Sequence, residues 1–151
     1  MFIVNVEGAI RKNDKWLIIK RSQKEEHAGG LLSLVGGKVE LEVSCSDVLE
    51  ETLKREIFEE VGVTIYDNLD YVHSTSFITD QGKHVVDVVF LCGFQSGEEV
   101  PKSPDEVEEI VWLSSYEVAT HPNAPVYLKE SIARAAKMIS TKMEVVKDWE
   151  D

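Results

Sequence analysis

The segment Arg55-Glu56-Ile57-Phe58-Glu59-Glu60-Val61-Gly62-Val63 sets three carboxylates within about one helical turn and then meets a glycine. Residues three and four apart on a helix share a face, so Glu56, Glu59 and Glu60 are expected to converge. Like charges at that spacing repel by roughly 0.2–0.5 kcal/mol per pair. A divalent cation would offset that repulsion, because hard cations take carboxylate oxygens together with substrate phosphates. A solvated acidic face is the competing reading. At roughly 100° per residue, Leu49, Leu53, Ile57 and Val61 form one apolar stripe. Glu60 projects inside that stripe and Glu56 lies at its margin. A carboxylate at a core boundary is costly unless paired or metal-bound, which favours the cation.

Upstream stands Val35-Gly36-Gly37-Lys38-Val39-Glu40, whose two glycines let the backbone bend and approach a ligand closely. A glycine pair alone marks many ordinary turns. Followed by Arg55–Val63, it resembles the Nudix box: Gly, five residues, Glu, seven residues, then Arg-Glu-U-x-Glu-Glu-x-Gly-U, with U apolar. Arg55, Glu56, Ile57, Glu59, Glu60, Gly62 and Val63 match every defined position of the second half. The first half departs from the pattern. The family spaces its glycine 14 positions before the arginine, whereas Gly37 precedes Arg55 by 18 (55 − 37). Four extra residues therefore fall within Leu41–Ser46. Asp47 stands where a glutamate is usual, and Val35 where proline is common. A longer loop adds only modest entropic cost.

The resemblance implies an α/β fold, a Nudix-type α/β/α sandwich with a mixed β-sheet, as a single domain over 1–151. It also implies a metal-dependent hydrolase cleaving a diphosphate bond in a nucleoside diphosphate linked to another group. A nucleoside triphosphate, normal or oxidised, is the expected substrate. ADP-ribose or another sugar nucleotide is the alternative, as is an inactive nucleotide-binding module; an acidic protein-interaction helix is a third class. By resemblance, Glu56, Glu59 and Glu60 bind Mg2+ or Mn2+, and the Gly37 carbonyl completes the shell. Glu56 is the expected general base, with Glu106, Glu108 and Glu109 as rivals. Arg55 is expected to pair with a box carboxylate, a task suited to a planar guanidinium. Arg21 and Lys38 align with phosphate-facing positions of the triphosphate-hydrolysing branch. Asn123, in His121-Pro122-Asn123-Ala124-Pro125, resembles that branch's purine-reading asparagine, although asparagine before a helix more often caps or turns the chain.

Size and charge narrow the field. At 151 residues the chain is long enough for one domain with a real core. Its formal net charge of −12, from 16 basic and 28 acidic residues, argues against nucleic-acid or anionic-membrane surfaces. Cys45 and Cys92 are too few for a disulfide framework. None of His27, His73, His84 and His121 shows metal-ligand spacing. The amino-terminal residues do not read as a signal peptide and no apolar run reaches membrane-spanning length, so a cytoplasmic location is the default expectation. The expected partner is a small nucleotide, and the resemblance leaves room for a homodimer.

Periodicity completes the outline. Strands are expected at 2–11 and 16–21 around an Asn13-Asp14 turn, with a short strand before the glycine pair. A helix follows over 47–61, with Ser46 or Asp47 as its cap. A hairpin joins 70–78 to 84–94 through Asp80-Gln81-Gly82-Lys83. A strand at 107–113 precedes a last helix that begins near Pro125. Trp16 and Trp112 are expected to pack on the core.

Overall fold

The structure is a computed structural model that describes residues 1–25, 29–40 and 45–150, with side chains as far as 143. Most of the box insertion (41–44) and His27 lie outside the described residues. Eight strands form one mixed sheet among the described residues: β1 (Phe2–Lys12), β2 (Lys15–Arg21), β3 (Leu32–Ser33), β4 (Val35–Lys38), β5 (Thr64–Ile65), β6 (Asp70–Ile78), β7 (His84–Ser96) and β8 (Val107–Leu113). The helices are α1 (Val48–Val61), α2 (Ser115–Thr120) and α3 (Val126–Glu150).

Two long apolar strands make the spine. β1 and β7 pair in parallel from Phe2↔His84 to Arg11↔Gly93. All other pairings are antiparallel, with β4 and β2 on successive parts of β1, β6 and β5 against β7, and β8 against β2. Because β1 turns from β4 to β2 along its length, the sheet splits there and leaves room for a cleft. The spine is covered on both faces, so its strands read as nearly continuous apolar runs.

Side chains of alternate residues point to opposite faces. Val6, Ile10, Leu17, Val35, Val88 and Phe90 pack beneath Leu53, Ile57 and Val61 of α1. On the opposite face, Ala9, Trp16, Ile18, Leu34 and Val89 pack with Val118 of α2 and Leu128, Ile132 and Ala135 of α3. The result is the expected three-layer α/β/α arrangement. Burying each of the large α1 side chains contributes about 1.5–3 kcal/mol. Gly62 ends α1 in the left-handed region at φ 74°, and its N–H donates to the Phe58 carbonyl at 3.0 Å.

Three local features differ from expectation. Asp47 does occupy the cap position of α1, but it is left-handed at φ 54° and its side chain caps nothing. Ser46 is not the cap. α2 was not anticipated, because its six residues are too short to display helical periodicity. Its start was nevertheless written in the chain as Ser114-x-x-Glu117. The Glu117 N–H donates to Ser114 Oγ at 3.1 Å and the Ser114 N–H donates to Glu117 Oε1 at 3.0 Å, a capping box. β5, two residues long, also carries no pattern of its own. Trp16 is buried as expected and donates its indole N–H to Ser115 Oγ at 2.9 Å, while Trp112 is partly buried and donates to Glu99 Oε1.

Candidate active site

The carboxylates of α1 divide by their position around the helix. Leu53, Ile57 and Val61 define the core face. Glu60 lies roughly 60° from the centre of that stripe and Glu59 roughly 160° away. Glu60 is accordingly partly buried, and Glu59 is exposed. The expected convergence of all three is therefore not seen. Arg55 binds two of them together, its Nη1 lying 3.3 Å from Glu56 Oε1 and 3.7 Å from Glu59 Oε2.

Gly37, on β4, meets α1 closely. A Cβ added there would stand 2.5 Å from Glu56 Cδ and 2.6 Å from Glu56 Oε2. No larger residue fits without displacing that carboxylate, which is the physical reason for glycine at this point. The close approach also puts the β4 backbone beside the acidic face of the helix.

Glu60 and Glu106 line the wall of a cavity of about 690 Å³, together with Gly36, Gly37 and Arg21. Glu106 is the turn residue just before β8 and is one of the rival bases expected from the sequence. Burial first, then the Glu106 and Glu56 charges and a hydrogen bond to Glu106, push the Glu60 carboxyl up to about 8, with Arg21 opposing. Glu56 is also raised, chiefly by burial, against the lowering influence of Arg55. Arg21 lies at the same wall with its Nη2 3.5 Å from Glu25 Oε2.

Other candidates fall outside this cluster. Lys38 is exposed and its Nζ lies 3.8 Å from Glu40 Oε1. Glu108 pairs with Lys20 at 3.6 Å, and Glu109 is exposed. Asn123 is exposed and does not line the cavity. Its backbone organises a turn instead, with its N–H donating to His121 Nδ1 at 3.0 Å and its carbonyl accepting from the Leu32 N–H at 3.0 Å.

The cavity also contains groups that the sequence reading passed over: Asn5, Glu7, Phe77, Asp87, Tyr127 and Ser131. A signal did exist for two of them. Glu7 interrupts Val6-Glu7-Gly8-Ala9-Ile10, and Asp87 interrupts Val85-Val86-Asp87-Val88-Val89. A lone carboxylate inside a buried strand is costly enough to call for a reason.

The NUDIX domain family model matches residues 1–134. The chain belongs to the Nudix family. Over 107 residues this Nudix chain is 36% identical to the ADP-ribose pyrophosphatase of Methanocaldococcus jannaschii, the match covering 70% of the chain and 58% of that protein. It is 27% identical over 106 residues to the NAD-capped RNA hydrolase NudC of Haemophilus influenzae, covering 70% of the chain and 37% of that protein. The chain thus matches only about a third to three-fifths of these relatives' lengths. A MutT NUDIX hydrolase from Burkholderia pseudomallei superposes with a TM-score of 0.75 at 25% identity, covering 89% of this chain and 98% of the other.

Nudix hydrolases generally use divalent metal ions, and the residues here suit one. Among the described residues, no three His, Cys, Asp or Glu side chains already stand at metal-holding spacing. The donor chemistry nevertheless fits: Glu60 and Glu106 line the same cavity wall, near enough for the Glu106 charge to raise Glu60, and Gly37 leaves room for Glu56 beside them. These are hard oxygen donors, the kind magnesium and manganese select. Among the described residues no helix is long and apolar enough to cross a membrane.

Proposed function

We propose that this Nudix domain hydrolyses a diphosphate bond in a nucleoside diphosphate linked to another group, with a nucleoside triphosphate as the first choice of substrate. The observation that carries the reading is the meeting of Glu60, Glu106 and Gly37 on the wall of one cavity of about 690 Å³, with Glu56 packed against Gly37. Glu60 and Glu106, with the Gly37 carbonyl, would hold Mg2+ or Mn2+; Glu59 stands one turn away, within reach of Arg55. When bound, the cation neutralises phosphate charge and makes attacking water more acidic.

The remaining work falls to the chain itself. Glu56 accepts the proton of the attacking water, a role for which a carboxyl raised by burial is better matched than a fully solvated one. Arg55 fixes the Glu56 rotamer through Oε1, leaving Oε2 toward Gly37. Arg21, on the cavity wall, supplies positive charge to the phosphates. Lys38 and Asn123 have no direct part in this arrangement.

A second reading, ADP-ribose hydrolysis, is favoured by the 36% identical archaeal relative. Fold and box do not decide between substrates. A panel of nucleoside triphosphates, ADP-ribose and sugar nucleotides, incubated with magnesium or manganese and separated by chromatography, tests both. Cleavage at a diphosphate bond that stops on chelation and resumes with added cation is the expected result. Full turnover in excess chelator, or no cleavage of any diphosphate in the panel, would overturn the proposal.

A further inference from the structure

The segment between β7 and β8, residues 97–106, is laid across the carboxyl end of α1. A helix leaves its last carbonyls without partners of its own. Here this segment supplies them. The Lys102 N–H donates to the Glu60 carbonyl at 2.9 Å and the Val100 N–H to the Val61 carbonyl at 3.0 Å. Pro101, between them, has no N–H to leave unpaired. At the start of the segment a Cβ added to Gly97 would stand 2.4 Å from the Gly62 carbonyl oxygen, so only glycine fits. Farther along, Glu99 Oε1 accepts the indole N–H of Trp112, on β8, at 2.9 Å. The segment is a strap pinned to both the helix and the sheet.

Lys102 contributes more than its backbone. Its Nζ lies over the Phe58 ring, 4.4 Å from the centroid. The same side chain passes Gly62, with Cε 3.1 Å from where a Cβ would stand there. A helix ends in partial negative charge, which a nearby cation stabilises. The last turn of α1 holds no basic residue of its own and carries Glu59 and Glu60. Lys102 brings that cation from outside the helix. The next residue, Ser103, opens the turn that holds Glu106. Its carbonyl accepts from the Glu106 N–H at 2.9 Å and the Val107 N–H at 2.8 Å, and the Glu106 carbonyl accepts from the Ser22 N–H at 2.9 Å.

We propose that Lys102 is a positioning residue for the cation site: by clasping Phe58 and the end of α1, it holds Glu106 opposite Glu60 on the cavity wall. The two acids belong to separate segments and repel each other when both are charged. An anchor that keeps them together prepares an oxygen pair that a divalent ion can bridge, so less of the binding energy goes into ordering the site. Lys102 itself is exposed and does not line the cavity. This inference rests on the cation reading above and adds the device that sets the spacing of its ligands.

The test is Mn2+ titration of the full chain without substrate, read from the free-ion paramagnetic signal, as a double-mutant cycle with Glu106. Lys102→Ala should weaken Mn2+ binding about threefold or more. Lys102→Arg keeps a cation for the ring and the helix end and should stay within about twofold of wild type. In a Glu106→Gln background, Lys102→Ala should change affinity by less than about twofold, because the group it positions is gone. Phe58→Leu removes the ring from the other side of the clasp and should show the same dependence on Glu106. A lysine that only stabilised the surface would lower the melting temperature without that dependence. Wild-type affinity in Lys102→Ala, no rescue by Lys102→Arg, or equal weakening in both backgrounds would overturn the proposal. The alanine and arginine variants decide by themselves should Glu106→Gln bind too weakly to measure. A wild type that binds no Mn2+ would reject the cation reading and this inference with it; saturable wild-type binding left unchanged by Lys102→Ala would reject this inference alone.

Discussion

Two carboxyl pairs face one cavity, Glu60–Glu106 and Glu7–Asp87, and they differ in what carries them. The first joins a helix face to the turn residue just before β8, beside an arginine and a glycine backbone. The second is fixed by the register of two central strands. In each pair burial and the charge of the neighbouring acid raise a carboxyl above its ordinary range. At the helix the surroundings supply further oxygen donors, so the pair is suited to exchange its proton for a cation. In the sheet the surroundings are aromatic rings and a held histidine. The same buried-acid chemistry thus stands beside further oxygen donors at one end of the cavity and beside aromatic rings at the other.

Removing the helix-side acids should have the largest effect. Glu56→Gln and Glu60→Gln are each expected to lower turnover by about 100-fold or more, as loss of a general base or of cation binding does. A change within about threefold, worth only ~0.7 kcal/mol of barrier, would take the residue out of the mechanism.

Without added metal the helix-side pair should also make stability depend on pH. The folded state holds the Glu60 proton up to about 8, whereas an unfolded glutamate releases it near its ordinary value of 4.5. Between those values the folded state binds the more protons, so stability should fall as pH rises from about 5 to about 8. Glu60→Gln should remove part of that fall and stabilise the metal-free protein at pH 8 by about 2 kcal/mol. Chemical denaturation with chelator at pH 5.5 and 8 measures it. A wild type more stable at pH 8, with no gain from Glu60→Gln, would contradict the raised Glu60 carboxyl.

Smaller effects are expected farther from the two pairs. Arg55→Lys keeps the charge but loses the planar fork spanning Glu56 and Glu59, and should cost about tenfold in kcat. Lys38→Ala and Asn123→Ala should leave kinetics within about twofold, with Asn123→Ala affecting purine and pyrimidine substrates alike. A purine-selective loss in Asn123→Ala would return base reading to the turn before α3.

Much of the fold was legible because its spine is periodic. The α1 stripe, the β1–β2 turn, the β6–β7 hairpin and the last helix are all written in apolar spacing, and the box supplied the three-layer architecture. β5 and α2 are shorter than the periods that reveal such elements, although the Ser114/Glu117 capping box did mark α2. At the site, the box named Glu56, Glu60 and Gly37, but motif identity did not distinguish Glu59, which the core stripe turns outward. Glu106 stood among three glutamates that the sequence could not separate; the cavity wall separates them. Glu7 and Asp87 are 80 positions apart, and only the parallel register brings them together.

The proposed mechanism requires a divalent cation at the Glu60–Glu106 wall. Titration of Mn2+ into the wild type and Glu60→Gln at pH 7.5, followed by loss of the free-ion paramagnetic resonance signal, tests this without reference to substrate or turnover. The account predicts saturable binding in the wild type and affinity about tenfold or more weaker in Glu60→Gln. Equal affinity in the two proteins, with both shown to be folded, would contradict it.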